Sequence, residues 1–126
     1  MTPRARVAVV SHSDYVVATV SGEIDLTNAG RIGVELHAAI PNAVHALVLD
    51  LSQTEYIDSR GVQLILDTAE RLATRQQKLH LVVPGGSPLW RLFGIVSMAE
   101  VASIDRTVDD AVERVRAARS GRPQDG

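Results

Sequence analysis

A chain of 126 residues with 45% apolar and 22% charged side chains has the size and balance of one soluble domain, able to bury roughly 65% of its unfolded surface without disulfides or metals. Its 13 basic and 15 acidic residues give a net charge of -2, and its aromatics are Tyr15, Tyr56, Trp90 and Phe93 alone, so neither a phosphate-tracking surface nor a base-stacking platform for nucleic acid is expected. The lack of cysteine excludes thiolate zinc sites, cysteine nucleophiles and disulfide scaffolds, and no apolar run reaches the ~18 residues of a membrane span.

The chain starts Met-Thr-Pro-Arg-Ala-Arg and enters Val7 to Val10 without the long apolar region or cleavage site of a secretory signal. A cytoplasmic protein with no membrane partner is expected. Val7 to Val10 and Tyr15 to Ser21, separated by Ser11-His12-Ser13-Asp14, read as a β-hairpin. After Gly22-Glu23-Ile24-Asp25, either Thr27 or Asn28 can cap a helix carrying Ala29, Ile32, Leu36 and Ile40 on one face, closed by Pro41. Leu47 to Leu51 reads as a strand covered on both faces, and Ser52 to Asp58 as a polar loop. From Ser59, apolar Val62, Ile65, Leu66, Ala69, Leu72 and Ala73 recur at helical intervals to about Arg75. Leu79 to Val83 is the next strand, and Pro84-Gly85-Gly86-Ser87-Pro88 turns the chain into a short helix with Leu89, Leu92 and Phe93 inward. Val101 to Ile104 is a weakly signalled last strand. Thr107, with Asp109 and Asp110 in the first turn, starts a helix whose inner face is Val108, Ala111, Val112 and Val115; Arg114, Arg116 and Arg119 gather toward its carboxyl end, where cations suit the dipole. Residues 120–126 lack apolar side chains and read as a flexible tail after a single domain spanning 1–119.

This order argues an α/β fold: a mostly parallel sheet of about five strands with an initial antiparallel hairpin, packed with about four helices. Loops leaving the carboxyl ends of the parallel strands share one edge, where such sheets usually carry their site. Gly22 to Thr27, Ser52 to Gly61 and Pro84 to Pro88 are those loops. His12, His37, His45 and His80 match no zinc spacing and fall toward the opposite edge, so they are read as solvated, out of reach of Ser59 as a general base. No metal and no cofactor are expected. Asp58-Ser59-Arg60-Gly61 has only half of a hydrolase nucleophile elbow, because Ile57 stands where a glycine is needed and a loop precedes the serine. An N-cap serine accounts for it without catalysis. Asp50 at a strand end suggests a phospho-acceptor receiver, but Lys78 is the only lysine and precedes the fourth strand. Gly85-Gly86 lacks the surroundings of a phosphate loop.

With these residues in view, the chain resembles the STAS domain of bacterial anti-sigma factor antagonists over about Val7 to Val115. Tyr56-Ile57-Asp58-Ser59-Arg60-Gly61-Val62 is similar to that family's Asp-Ser-x-Gly-Leu/Val phosphorylation motif, Gly22-Glu23-Ile24-Asp25 to its Gly-Glu-Leu-Asp, and Ser87-Pro88-Leu89-Trp90-Arg91-Leu92-Phe93 to its Ser-Pro-x-x-x-x-Phe helix. The resemblance implies a non-enzymatic regulator that binds an anti-sigma factor and so frees a sigma factor. It also implies that the anti-sigma factor is a serine kinase that phosphorylates Ser59 to end the complex, and that a serine phosphatase restores the active form. Asp25, Asp58, Ser59, Arg60, Gly61 and Trp90 are the expected partner-binding residues. Arg60 departs from the family's usual small residue. A stressosome-type or transporter-associated STAS scaffold and, more remotely, a serine esterase are the rival readings.

Overall fold

β-branched residues build the first hairpin: strand β1 (Arg6–Ser11) pairs antiparallel with β2 (Tyr15–Ile24), and the turn is closed by His12 N–H donating to the Tyr15 carbonyl at 2.9 Å. The computed structural model describes residues 5–119; the expected tail at 120–126 lies outside them. From Val16 on, β2 alternates buried and half-buried positions, because successive side chains point to opposite faces of the sheet. It runs three residues past the expected end at Ser21. Gly22 makes that possible, because at φ 93° it takes a left-handed conformation that a side chain would strain, and the register against the neighbouring strand shifts between Gly22 and Glu23.

The length of β2 lets it hold two short parallel strands in succession. β3 (Ala46–Asp50) pairs with Tyr15 to Thr19, and β4 (Thr54–Ile57) pairs with Gly22 to Ile24. β4 corrects the sequence reading, which made Ser52 to Asp58 a loop. Its two inward residues, Thr54 and Ile57, are not spaced by two, and Glu55 and Tyr56 between them are exposed, so the period-2 signal is missing. The buried Thr54 hydroxyl is satisfied by donating to the Val20 carbonyl at 2.7 Å. β5 (Lys78–Val82) and β6 (Ser103–Asp105) continue the parallel sheet, giving six strands in the order β1-β2-β3-β5-β6 with β4 beside β2.

Helices α1 (Ala29–Ala38), α2 (Ser59–Thr74) and α3 (Leu89–Ile95) contribute Ile32, Leu36, Ile65, Leu72 and Phe93 to the core that Leu47, Leu49, Leu79 and Leu81 form on one sheet face. The opposite face carries Ala46, Val48 and Val82, covered by Ala111, Val112 and Val115 of α4 (Val108–Arg119). Two of the basic residues read as serving the end of α4 do other work. Arg114 reaches back to Asp105 at the end of β6, at 2.9 and 3.1 Å, and Arg119 lies 3.5 Å from Asp14 in the hairpin turn. His80 also departs from expectation: it is 3% exposed, because the Lys78, His80, Val82 side of β5 faces α4.

Candidate functional site

The carboxyl ends of β2 and β4 bring two of the three expected loops into direct contact. Asp58 N–H donates to the Ile24 carbonyl at 3.1 Å, continuing the β2–β4 pairing by one bond beyond Ile57. The Asp58 carboxylate then ties three backbone donors together. Oδ1 accepts from Arg60 N–H at 2.8 Å and Gly61 N–H at 3.0 Å, and Oδ2 accepts from Leu26 N–H at 3.1 Å. Asp58, not Ser59, is therefore the N-cap of α2. Its longer reach serves the second and third helical N–H groups, and the serine is displaced to the first helical position, outward and exposed.

These bonds, with that from Gly61 first among the lowering causes and the nearby Arg60 charge last, hold the Asp58 carboxyl below the usual aspartate range against the opposing effect of desolvation. The site is thus anionic at neutral pH before any modification. The facing turn is ordered by Asp25, whose Oδ1 accepts from the Thr27 amide at 2.9 Å and the Thr27 hydroxyl at 2.6 Å. Asn28 closes it from within, accepting from Asp25 N–H at 3.0 Å and donating to the Glu23 carbonyl at 2.8 Å. Asn28 stands at the cap position of α1 but its side chain makes no cap bond to that helix; it serves the turn instead.

Gly61 is the hinge of close packing. A Cβ there would stand 2.5 Å from Ile57 Cγ2 and 3.0 Å from the Ile24 carbonyl oxygen, so only glycine lets α2 start this close to β2 and β4. Arg60 is exposed and borders a groove of about 290 Å³ between α1 and α2, lined also by Ala29, Gly33, Val34 and Leu64. Exposed apolar side chains lie on the neighbouring elements: Leu26 of the facing turn is 65% exposed, Tyr56 of β4 52% and Val34 of α1 70%. The sequence reading passed over these three. Leu26 was legible as an isolated apolar residue in a polar loop, whereas Tyr56 and Val34 only become surface once β4 and the outward side of α1 are known.

Five of the six expected site residues, Asp25, Asp58, Ser59, Arg60 and Gly61, are therefore brought together. Trp90 is not part of that cluster. Its indole N–H donates to the Pro84 carbonyl at 2.8 Å, Arg106 sits 5.6 Å from its ring, and it borders a separate depression with Ala69, Ala73, Lys78, Val101 and Ile104. Among the described residues no histidine is bonded to Ser59. The charges acting on His37 are those of Arg71, Arg75 and Asp67, two turns or more into α2, away from the serine at its start. No group of three metal-ligating side chains occurs among the described residues, and no described helix is long and apolar enough to cross a membrane.

A mixed sheet with an initial hairpin, four helices and an exposed serine at the start of the second define a STAS-type domain. The chain belongs to the STAS domain family, whose model matches residues 6–111. It is 29% identical over 116 residues to the anti-sigma-F factor antagonist RsfB of Mycobacterium tuberculosis, covering 92% of this chain and 93% of that one. Among solved structures it is similar to an anti-sigma factor antagonist from Mycobacterium paratuberculosis, with TM-score 0.79, 28% identity and coverage of 90% and 95% of the two chains. It is also similar to the anti-sigma factor antagonist SpoIIAA in its unphosphorylated form, with TM-score 0.65, 25% identity and coverage of 90% and 98%.

Proposed function

We propose that this protein is an anti-sigma factor antagonist whose contact surface centres on Ser59 and is switched off by phosphorylation of that serine. The observation that carries this reading is the placement of Ser59: exposed at the first position of α2, directly after Asp58, which braces the helix start to the Asp25–Asn28 turn through Leu26, itself 65% exposed. Exposed apolar side chains such as Leu26, next to a modifiable hydroxyl, suit the apolar core of a protein contact, whose rim is polar. The relatives' names, anti-sigma factor antagonist in each case, supply the partner class.

The partner would be an anti-sigma factor acting as a serine kinase. The Ser59 hydroxyl oxygen would take the γ-phosphoryl group of ATP, with ADP leaving and the hydroxyl proton passing to the kinase or solvent. Asp58 has already taken the Arg60 and Gly61 N–H groups, so the new phosphate gains little from the helix start and stands outward. It adds about -1.5 to -2 charge beside the ionised Asp58. A docked partner would have to desolvate that charge, and binding would be lost while the fold persists. A serine phosphatase, by hydrolysing the phosphoester, would restore the contact. Incubation with the cognate kinase and ATP followed by mass spectrometry is expected to place one phosphate on Ser59; phosphate on Ser87 or Thr54 instead would overturn the assignment.

A further inference from the structure

At the end of the sheet opposite Ser59, the last turns of α4 cross the first residues of β3 and β5 and leave a cleft of about 150 Å³. We propose that this cleft is a binding site for a phosphate-class oxyanion, held by Lys78, Arg119 and His45 above the buried His80. The site is separate from the proposed phosphorylation switch and does not rest on it. Gln76 also borders the cleft, Ala46 and Val115 form its apolar walls, and no carboxylate lines it.

The lining points to an anionic ligand, because every ionisable side chain in it is a lysine, an arginine or a histidine. His80 lies beneath them and is 3% exposed. Burial, the leading cause, together with the charges of Arg114 and Lys78 and against the opposing pull of Asp105, lowers the His80 pKa. The ring is then neutral near pH 7, with one N–H to donate.

A cleft of about 150 Å³ has room for one small tetrahedral oxyanion. Such an anion has acceptors enough for the Lys78 ammonium, the Arg119 fork and an imidazole at once. Asp14 is the competing partner for Arg119, but that contact is long at 3.5 Å and both side chains are substantially exposed, so a divalent anion can displace it.

The test is an imidazole-detected NMR titration of the whole chain with inorganic phosphate, with glycerol phosphate in a second arm and chloride at matched ionic strength as control. Saturable shifts are expected at His45 and His80 and not at His37, which lies on the other side of the sheet. Lys78→Ala and Arg119→Ala should each weaken the phosphate response about tenfold, as expected for one lost charge-assisted contact, while both variants, altered only at the surface, keep the wild-type melting temperature within a few degrees. Saturation by glycerol phosphate as well would mean that the cleft admits an esterified phosphate; saturation by inorganic phosphate alone would mean that it admits only the free ion. Either supports the site. Shifts that grow linearly and match chloride, or that survive Lys78→Ala and Arg119→Ala unchanged, would overturn it.

Discussion

Ser59 owes its exposure to its neighbours, because Asp58 performs the capping and Gly61 the close packing. Gly61→Ala forces a methyl into Ile57 and the Ile24 carbonyl, and since the carbonyl belongs to paired backbone, α2 must shift. The expected cost is about 1 to 3 kcal/mol, read by urea denaturation. Unchanged stability would mean that the helix start is looser than described. Asp58→Ala leaves the Arg60, Gly61 and Leu26 N–H groups without their acceptor. Faster hydrogen exchange is expected at all three amides; acceleration at Arg60 and Gly61 alone would show that the tie to Leu26 is unimportant. Arg60→Ser touches neither arrangement, so the melting temperature should stay within a few degrees while partner affinity or phosphoserine hydrolysis changes. If neither changes, Arg60 is only a solvated cation.

The parallel elements were largely legible in the sequence because they follow strict rules. Apart from Asp50 and His80, Leu47 to Leu51 and Leu79 to Val83 are apolar on both faces, and α2 carries a clean 3- and 4-residue repeat. The carboxyl-end argument likewise placed Asp25 near Asp58. β4 was hidden because its pairing depends on β2 running past Gly22, a property of backbone conformation and not of apolar pattern. Arg114 was read as serving the helix dipole because its partner Asp105 lies nine residues earlier, on a strand that polarity made faint. That pair latches α4 to β6. Asp105 is 8% exposed but Arg114 is mostly in solvent, so Arg114→Ala should cost about 1 to 2 kcal/mol, below the full value of breaking a buried pair. The additional change Asp105→Ala should recover part of it, since the stranded carboxylate is then gone. A double variant less stable than the single one would contradict the latch.

Across the whole molecule, His80 couples stability to pH. Burial sets its pKa below the ordinary histidine value, so the unfolded chain binds a proton more readily than the folded one. Stability is therefore full above the ordinary value near 6.5 and falls as pH drops below it toward the lowered folded value. His37, lowered by burial first and by Arg71 and Arg75 after it, adds a slope of the same sign. His80→Gln should flatten the acid side of the stability profile in part, and an unchanged profile would mean that His80 titrates alike in both states. At the other end of the sheet, the proposed switch is one added charge at Ser59 that sets whether a partner docks there. Its most direct test is the affinity of the purified cognate anti-sigma factor for the unphosphorylated protein, for the Ser59-phosphorylated protein and for Ser59→Ala. Tight binding of the first and third with at least a tenfold loss for the second is predicted; equal affinity of all three would contradict the switch.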